Sequence, residues 1–345
     1  MTIPGLSLWK GDRTSMKIAE VREQAMKYNR EQLMELLVTA YKMLPKQKKE
    51  EMDRYIIDLY GAAKKQPVVA DPLDFESLKQ DILEFVDDAQ NQYYFAPNRK
   101  IPKQSRSRWR FTVRKYLKAL FAVPFEDANA KEAGQLLLRL FNLLSQACGE
   151  YLFSTEDPFG AVGYGQNALY SKCAEYALKA DSFGEETIKE VINSAVCSQV
   201  NYDSLNIEFE VSLINLLDEN GRNKAIMAAR ELVQEQRDMY SDSTYDSWDH
   251  SNFRTGENIQ NLIVLLGMLH LSHDDLDTCL SDYWKYTVEK DKEIALYVLL
   301  MDVIRTAGNE EMFAAAYEDG IKKRKIKPRK ELKDMYAKIK ANQKR

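Results

Sequence analysis

Apolar residues recur along most of this chain at the spacing of α-helices. Residues 259–269 show the pattern clearly, because their apolar side chains return every three or four positions and so share one helix face. Similar patterns follow one another from residue 15 to residue 342, with short polar or Pro-containing breaks between them. No alternating apolar and polar run is long enough to predict a strand. The pattern therefore predicts an all-α protein of about fifteen helices.

The short connections between these helices predict how they pack. Helices of about 12–20 residues joined by short turns form antiparallel hairpins, which either stack as an α-solenoid or assemble as a bundle. The tetratricopeptide and ankyrin signatures are missing from the sequence, and HEAT-type repeats are too degenerate to identify in this way. We expect a solenoid-like array of the HEAT or TPR kind, or a large helical bundle.

Composition agrees with a helical, globular protein. Hydrophobic residues make up 45% of the 345 residues and charged residues 30%, while 14 Gly and 9 Pro are too few for a loop-rich β-protein. No run of 18 uncharged apolar residues predicts a transmembrane helix, so we expect no membrane partner. The first 15 residues lack the layout of a secretion signal. The four cysteines form no C-x-x-C pair, which predicts reduced thiols and a cytoplasmic location.

Charge is strongly segregated along the chain. Residues 89–125 carry nine basic residues and no acidic one, and residues 320–345 carry 12 basic residues and two acidic ones. Between these two blocks, residues 126–319 carry 14 basic and 35 acidic residues. Either the basic blocks pair internally with the acidic stretch, or they bind an external polyanion.

The same segregation predicts four segments. They are an N-terminal helical domain (1–92), a basic loop and helix that link it onward (93–125), an acidic helical-repeat-like body (126–320) and a basic C-terminal helix or tail (321–345). In the last segment, the apolar residues at positions 326, 332, 335, 336 and 339 predict a face that docks on the body.

The basic segment, residues 99–118, carries the candidate binding site. We expect one helix from Ser105 onward, with cations every four residues on one side and an apolar stripe on another. Guanidinium groups suit phosphate oxygens, and an aromatic ring among them suits stacking on a base. The stripe is Trp109, Val113, Tyr116, Leu117 and Leu120. The candidate polyanion-binding residues are Arg99, Lys100, Lys103, Arg106, Arg110, Phe111, Arg114 and Lys118.

The other motifs are explained by helix ends and loops. Near His270 and His273, Ser272 followed by Asp275 predicts a helix N-cap, which accounts for the acidic residues there without a metal. Three glycines between residues 160 and 165 predict a turn between helices and no phosphate loop. Residues 241–256 show no helical period, so we expect them to form the longest loop. We therefore expect no metal, no cofactor and no catalytic residue of a familiar constellation.

Two functions follow, and they belong to different classes. The first is a non-enzymatic cytoplasmic helical scaffold that binds a protein partner along stacked hairpins. The alternative is a nucleic-acid-binding protein that uses the helix at 99–118 and the basic tail. A carboxylate-based enzyme and a homo-oligomer stay open, because both depend on proximity that the sequence does not show.

Overall fold

A computed structural model of the chain confirms the all-α fold. It describes residues 27–28, 30–45, 48–49, 52, 75–201, 204–241 and 250–343, and helices hold 74% of these residues, with no strand among them. The helices are α1 Arg30–Met43, α2 Phe75–Gln90, α3 Lys103–Arg106, α4 Trp109–Phe121, α5 Ala130–Gly149, α6 Pro158–Val162, α7 Gln166–Ala180, α8 Glu185–Val196, α9 Asn206–Leu216, α10 Glu219–Met239, α11 His250–Leu271, α12 Leu276–Tyr286, α14 Glu310–Lys322 and α15 Lys330–Asn342. Between α12 and α14, α13 is continuous through Lys292–Val298, a π-helical turn at Leu299–Ile304 and Arg305–Ala307.

The chain divides into two compact units, residues 1–73 and 74–345. Helix α1 belongs to the first unit, and large apolar side chains along it, such as Met34 and Leu36, are exposed. The remaining helices and the hydrophobic core belong to the second unit. The subdivision of that unit at residues 125 and 320 stays a prediction.

In the second unit, helices that are separated by one or two others in the chain are in contact. Helices α2, α5, α8 and α10 contact one another in that order, and so do α7, α9 and α11. Helix α4 lies beside α5, and α12 and α13 pack on α11. Helix α14 contacts α13, and α15 contacts α14. These contacts are consistent with a helical bundle or a solenoid, the two arrangements that the short connections predict.

A cluster of buried aromatic rings joins four helices of the second unit. The ring of Phe141 on α5 lies 5.6 Å from that of Phe159 on α6, 5.5 Å from Tyr170 on α7 and 6.2 Å from Phe209 on α9. All four side chains are fully buried. Tilted and edge-on ring pairs at such distances stabilise a core beyond the burial of their area alone. The cluster therefore fixes the crossing of α5, α6, α7 and α9.

Helices α5 and α7 approach closely because α5 carries a glycine at the contact. A Cβ placed on Gly134 would lie 2.8 Å from the Cα atom of Ala177. Backbone cannot move aside as the end of a flexible side chain can, so only glycine fits here.

We expect Gly134→Ala to destabilise the protein, although alanine is the better helix former. Separating the two backbones typically costs about 1–3 kcal/mol, which exceeds the roughly 1 kcal/mol gained in helix propensity. Gly165→Ala is the control for the space that a Cβ needs, because nothing lies within 4 Å of a Cβ at that position. As the N-cap of α7 it should lose some stability by itself, but less than Gly134→Ala. Urea unfolding followed by circular dichroism compares the two. Equal stability of both variants would contradict the close approach.

A carboxyl group is buried beside the aromatic cluster. Glu210 on α9 is 1% exposed, and its Oε2 atom has no hydrogen-bond partner among the described residues. Burial raises the pKa of Glu210 well above its usual value, and the carboxyl of Asp302 in the π-helical turn raises it further. The folded protein therefore holds a proton on Glu210 at a pH where the unfolded chain releases it.

This proton makes the stability of the protein fall as pH rises above the unfolded pKa of Glu210. The sign follows because the folded state binds more protons than the unfolded state in that window. Glu210→Gln has no such proton, so its stability relative to wild type should increase by up to about 1.4 kcal/mol for each pH unit. Thermal unfolding between pH 5 and pH 9 measures the difference. Glu208→Gln, at an exposed position on the same helix, is the control for replacing a carboxyl group by a carboxamide.

The predicted loop at 241–256 extends too far, because α11 already begins at His250. Residues 242–249 lie outside the described residues. Asn252 explains the early start, since its side chain donates to the Ser241 carbonyl and accepts from the Ser241 N–H at 3.0 and 2.8 Å. These bonds join the start of α11 to the end of α10. Throughout the described part of the chain, no helix combines the length and apolarity needed to cross a bilayer.

Candidate functional site

The apolar stripe that the sequence predicts holds α4 against the body. All five of its residues, from Trp109 to Leu120, are buried. The indole of Trp109 stacks on Phe153 with ring centroids 4.0 Å apart, and the Tyr116 hydroxyl donates to the Asp81 carbonyl on α2. Burying this stripe turns the other sides of α4 toward solvent.

The expected single helix from Ser105 is interrupted. Helix α3 ends at Arg106 and α4 begins at Trp109, and the N–H of Arg108 bonds to the Ser105 carbonyl in a tight turn. The interruption lies directly before Trp109, whose burial determines where α4 starts. The predicted row of four cations is therefore wrong at its first member. Arg106 lies outside α4, and its Nε donates to the Ile101 carbonyl at 3.1 Å.

Two guanidinium groups flank an exposed ring on α4. The Cζ atoms of Arg110 and Arg114 lie 5.0 and 5.6 Å from the centroid of Phe111. The Phe111 side chain is nevertheless 53% exposed. Attraction between a cation and an aromatic face holds such groups together while both stay accessible. The structure thus brings Arg110, Phe111 and Arg114 together as the sequence predicts.

Arg114 also has a structural role that the sequence does not reveal. Its Nε donates to the Val162 carbonyl at 3.0 Å and its Nη2 to the Ala161 carbonyl at 2.8 Å. These carbonyls end α6, where a helix leaves acceptors unpaired and favours a cation. Gly163 then reverses the chain with a φ of 80°. The predicted turn between helices is therefore confined to residues 163–165, and Gly160, which the sequence places in that turn, lies inside α6.

The remaining candidate residues are mostly exposed and unpaired. Lys100 forms an ion pair with Asp88 at 2.5 Å, and its hydrogen bond to that carboxylate raises the pKa of Lys100. Arg99, Lys103 and Lys118 are exposed. Of the nine basic residues between 89 and 125, only Lys100 has a carboxylate of the described chain within 4.0 Å. Internal pairing therefore does not neutralise the basic segment.

The basic tail behaves differently, because much of its charge is paired. Of the ten basic residues between 320 and 343, which the structure describes, five form ion pairs with carboxylates of the described chain. They are Lys322, Lys323, Arg324, Arg329 and Lys340. Hydrogen bonds from Lys322, Tyr336 and Lys340 lower the pKa of Glu318 to about 2. The predicted apolar face also docks, since Leu332 and Ile339 are buried and Tyr336 stacks on Tyr317.

An exposed aromatic pair lies beside the start of the basic segment. Phe95 stacks on Tyr151 with ring centroids 5.3 Å apart and 25° between the ring planes. The two side chains are 40% and 73% exposed. Neighbouring Tyr94 instead packs on Phe153 beneath the surface. Tyr151 cannot be found from sequence spacing, because it is 56 residues from Phe95 in the chain.

The histidine cluster is a structural network. The N-cap of α12 is Asp275, which accepts from the Thr278 N–H, so the predicted N-cap at Ser272 is wrong. Ser272 instead donates to the Leu269 carbonyl at the end of α11. His270 is buried and lies 3.0 Å from Asp282, which also accepts from Arg230 at 2.8 Å. Burial lowers the pKa of His270. This network joins α10, α11 and α12.

A polar groove was not predicted from the sequence. Its first part, about 620 Å³, lies between α2, α5 and α8, and its second part, about 340 Å³, continues to Arg254 on α11. Asn142, Gln146 and Asn193 line both parts, and we call the whole the amide groove. Most residues of α5 are apolar and buried, but one side of the helix is polar and exposed. Polar residues at positions 135, 139, 142 and 146, at helical spacing, are the signal that identifies the exposed side.

We expect Arg114→Lys to lower the free energy of unfolding by about 1–2 kcal/mol, because an ammonium group does not reproduce the forked contact with two carbonyls. Arg110→Lys is the control, since Arg110 makes no hydrogen bond in the described structure, and a change within about 0.5 kcal/mol is expected there. Chemical unfolding of both variants measures the difference. Equal effects would show that α6 does not depend on Arg114.

Arg114 thus ties α4 to α6, while Arg110 and Phe111 remain accessible beside it. The amide groove lies on other helices of the same unit. Comparison of the chain with protein-family models, with curated proteins and with solved structures finds no match in any of the three. The function is therefore inferred from the contacts, charges and exposure of the chain's own residues.

Proposed function

We propose that this chain is a non-enzymatic helical scaffold whose basic segment binds a phosphate-rich polyanion, with single-stranded nucleic acid as the partner class. The observation that carries the proposal is the lack of internal neutralisation. Eight of the nine basic residues between 89 and 125 have no carboxylate of the described chain within 4.0 Å. The sequence alone favours a protein partner. Because these cations are unpaired, we favour a polyanion as the partner instead.

Unpaired cations favour a partner that brings its own anions. Concentrated positive charge binds a regular row of phosphates, because the bound counterions of the nucleic acid are released on association. On α4, Arg110 and Lys118 lie on one side and Lys115 is exposed on another. Arg108, exposed in the turn before α4, adds a further cation. A guanidinium fork matches phosphate oxygens better than an ammonium does, so the arginines here suit phosphate contacts.

Exposed rings favour a single strand over a duplex. Phe111 presents an exposed ring beside the guanidinium groups of Arg110 and Arg114. The exposed Phe95–Tyr151 stack offers a second aromatic surface, and Phe95 precedes Arg99 by four residues in the chain. Bases of a single strand stack on aromatic side chains in a way that tolerates any sequence, whereas bases inside a duplex do not reach them. Absence of an enzymatic activity and a cytoplasmic location stay predictions of the sequence.

Charge reversal on α4 should weaken nucleic-acid binding. Arg110→Glu/Lys118→Glu retains Arg114, but places a carboxylate four residues to either side of it, so circular dichroism must verify that the fold is preserved. Each phosphate contact that is lost should flatten the dependence of log K on log salt by about 0.7. Phe111→Ala should cost about 1–3 kcal/mol if a base stacks on the ring. Fluorescence anisotropy of labelled single-stranded and duplex oligonucleotides, titrated from about 50 mM salt upward, measures both effects.

The tail supplies the control for net charge. Lys333→Glu/Lys338→Glu makes the same change in net charge at two exposed positions of α15. Phe253→Ala removes a ring that is 68% exposed on α11, far from the basic segment in the sequence. Both controls should bind as wild type does. Equal weakening by the two double reversals, or no binding of wild type at low salt, would overturn the proposal.

A protein partner is the second candidate function. Stacked helix pairs present extended binding surfaces, and the amide groove is the observation that favours this function. Its lining is polar and lies on α2, α5, α8 and α11, whereas the basic segment lies on α3, α4 and the loop before them. The two candidate functions therefore use different residues and can be tested separately.

A further inference from the structure

The wall of the amide groove is a row of hydrogen-bonding side chains on α5. Gln135, Arg139, Asn142 and Gln146 follow each other at intervals of four, three and four residues, so they share one helix face. The carboxamide of Asn142 makes no hydrogen bond within the described structure, and Arg139 has no carboxylate within 4.0 Å. Facing them on α8, Asn193 accepts from the Cys197 thiol and leaves its Nδ2 donor without a protein acceptor there.

Aliphatic side chains form the floor of the groove. Leu136 and Leu143 on α5 lie between the polar positions and are almost fully buried, and Leu83 on α2 is partly buried beside them. An extended polypeptide turns alternate side chains to opposite sides of its backbone. Such a segment would direct every second side chain to the leucine floor and the others to solvent.

The charges that line the groove cancel. Lys79 forms an ion pair with Glu132 at 2.5 Å. The positive charge of Arg139 is balanced by the negative charge of Glu190, which also lines the groove. In the second part of the groove, Glu150 and Arg254 likewise carry opposite charge. A neutral lining gives a polyanion no advantage, which separates this surface from the basic segment.

Carboxamides match the polar groups of a peptide backbone. Each peptide unit offers one N–H donor and one carbonyl acceptor, and an Asn or Gln side chain offers an acceptor and donors in return. Neighbouring helix axes lie about 8–10 Å apart, so the three helices α2, α5 and α8 span roughly 16–20 Å. At about 3.3 Å per residue, that span fits five or six extended residues.

We propose that the amide groove binds an extended, uncharged segment of a partner polypeptide, with Asn142 and Asn193 hydrogen-bonding to its backbone. The inference rests on the second candidate function, a scaffold for a protein partner. The partner segment presents its backbone to the carboxamides of α5 and α8 and an apolar side chain to the leucine floor. The basic segment takes no part in this contact.

Selection from a displayed library of random twelve-residue peptides against the full chain tests the proposal. The enriched peptides are then synthesised, and their Kd values are measured by fluorescence anisotropy with wild type and variants. Asn142→Ala and Asn193→Ala remove one carboxamide each at exposed positions, so the fold should persist, and circular dichroism verifies it. Asn220→Ala removes an exposed carboxamide of α10, outside the groove, as the matched control.

We expect each groove variant to raise the Kd about five- to tenfold and the control to change it less than twofold. The same peptides with N-methyl groups at alternate residues should bind at least tenfold more weakly, because they lack the backbone donors. No enrichment of peptides, or peptides whose binding is unchanged in both groove variants, would overturn the groove assignment. In the second outcome, the chain still binds a polypeptide, so the scaffold function would survive. Oligonucleotide binding, measured in parallel, should be unchanged by Asn142→Ala.

Discussion

The packing of α5 against α7 is the constraint on which the second unit depends. Gly134 brings the two backbones into contact, and the rings of Phe141 and Tyr170 continue the contact along the helices. With one side of α5 fixed in this way, the side that carries Asn142 must face the groove. Phe159 in the same aromatic cluster holds α6, which in turn accepts the guanidinium of Arg114 from α4. One core contact therefore orients both candidate surfaces.

Structural features that depend on a single helix can be predicted from local patterns in the sequence. The stripe from Trp109 to Leu120 is buried as its spacing predicts, and the apolar face of α15 docks as expected. Apolar spacing suffices there because a helix with one apolar face has one low-energy orientation against a core. The turn before Trp109 could not be predicted, since it depends on a stacking contact with Phe153, 44 residues further along the chain. The same holds for the N-cap at Asp275, because several residues near it are able to cap a helix.

The two basic blocks look alike in sequence, and their difference is tertiary. Both contain cations with few carboxylates nearby in the chain, so local charge counts predict the same behaviour. In the folded tail, α14 supplies Glu318 and Asp319, and α13 supplies Glu293 to Arg329. Among the described residues, Asp88 alone lies within 4.0 Å of a cation of the basic segment. Exposed pairs of this kind contribute little to stability, but they lower the local potential that a polyanion meets.

The groove and the basic segment differ in the chemistry of their polar groups. This difference determines which ligands each of the two surfaces selects. Carboxamides are neutral, so hydrogen bonds in the groove depend on geometry and respond weakly to salt. Cations on α4 act over a Debye length of about 8–10 Å and respond strongly to salt. Arg114 joins the two regions mechanically, because it links α4 to α6 and Phe159 links α6 to α5. A ligand on α4 that drew the Arg114 guanidinium away from the carbonyls of α6 would loosen the aromatic cluster behind the groove wall. Since that cluster is fully buried and closely packed, loosening it is unfavourable, and the contact with α6 therefore keeps Arg114 in place while Arg110 and Lys118 remain available to the ligand.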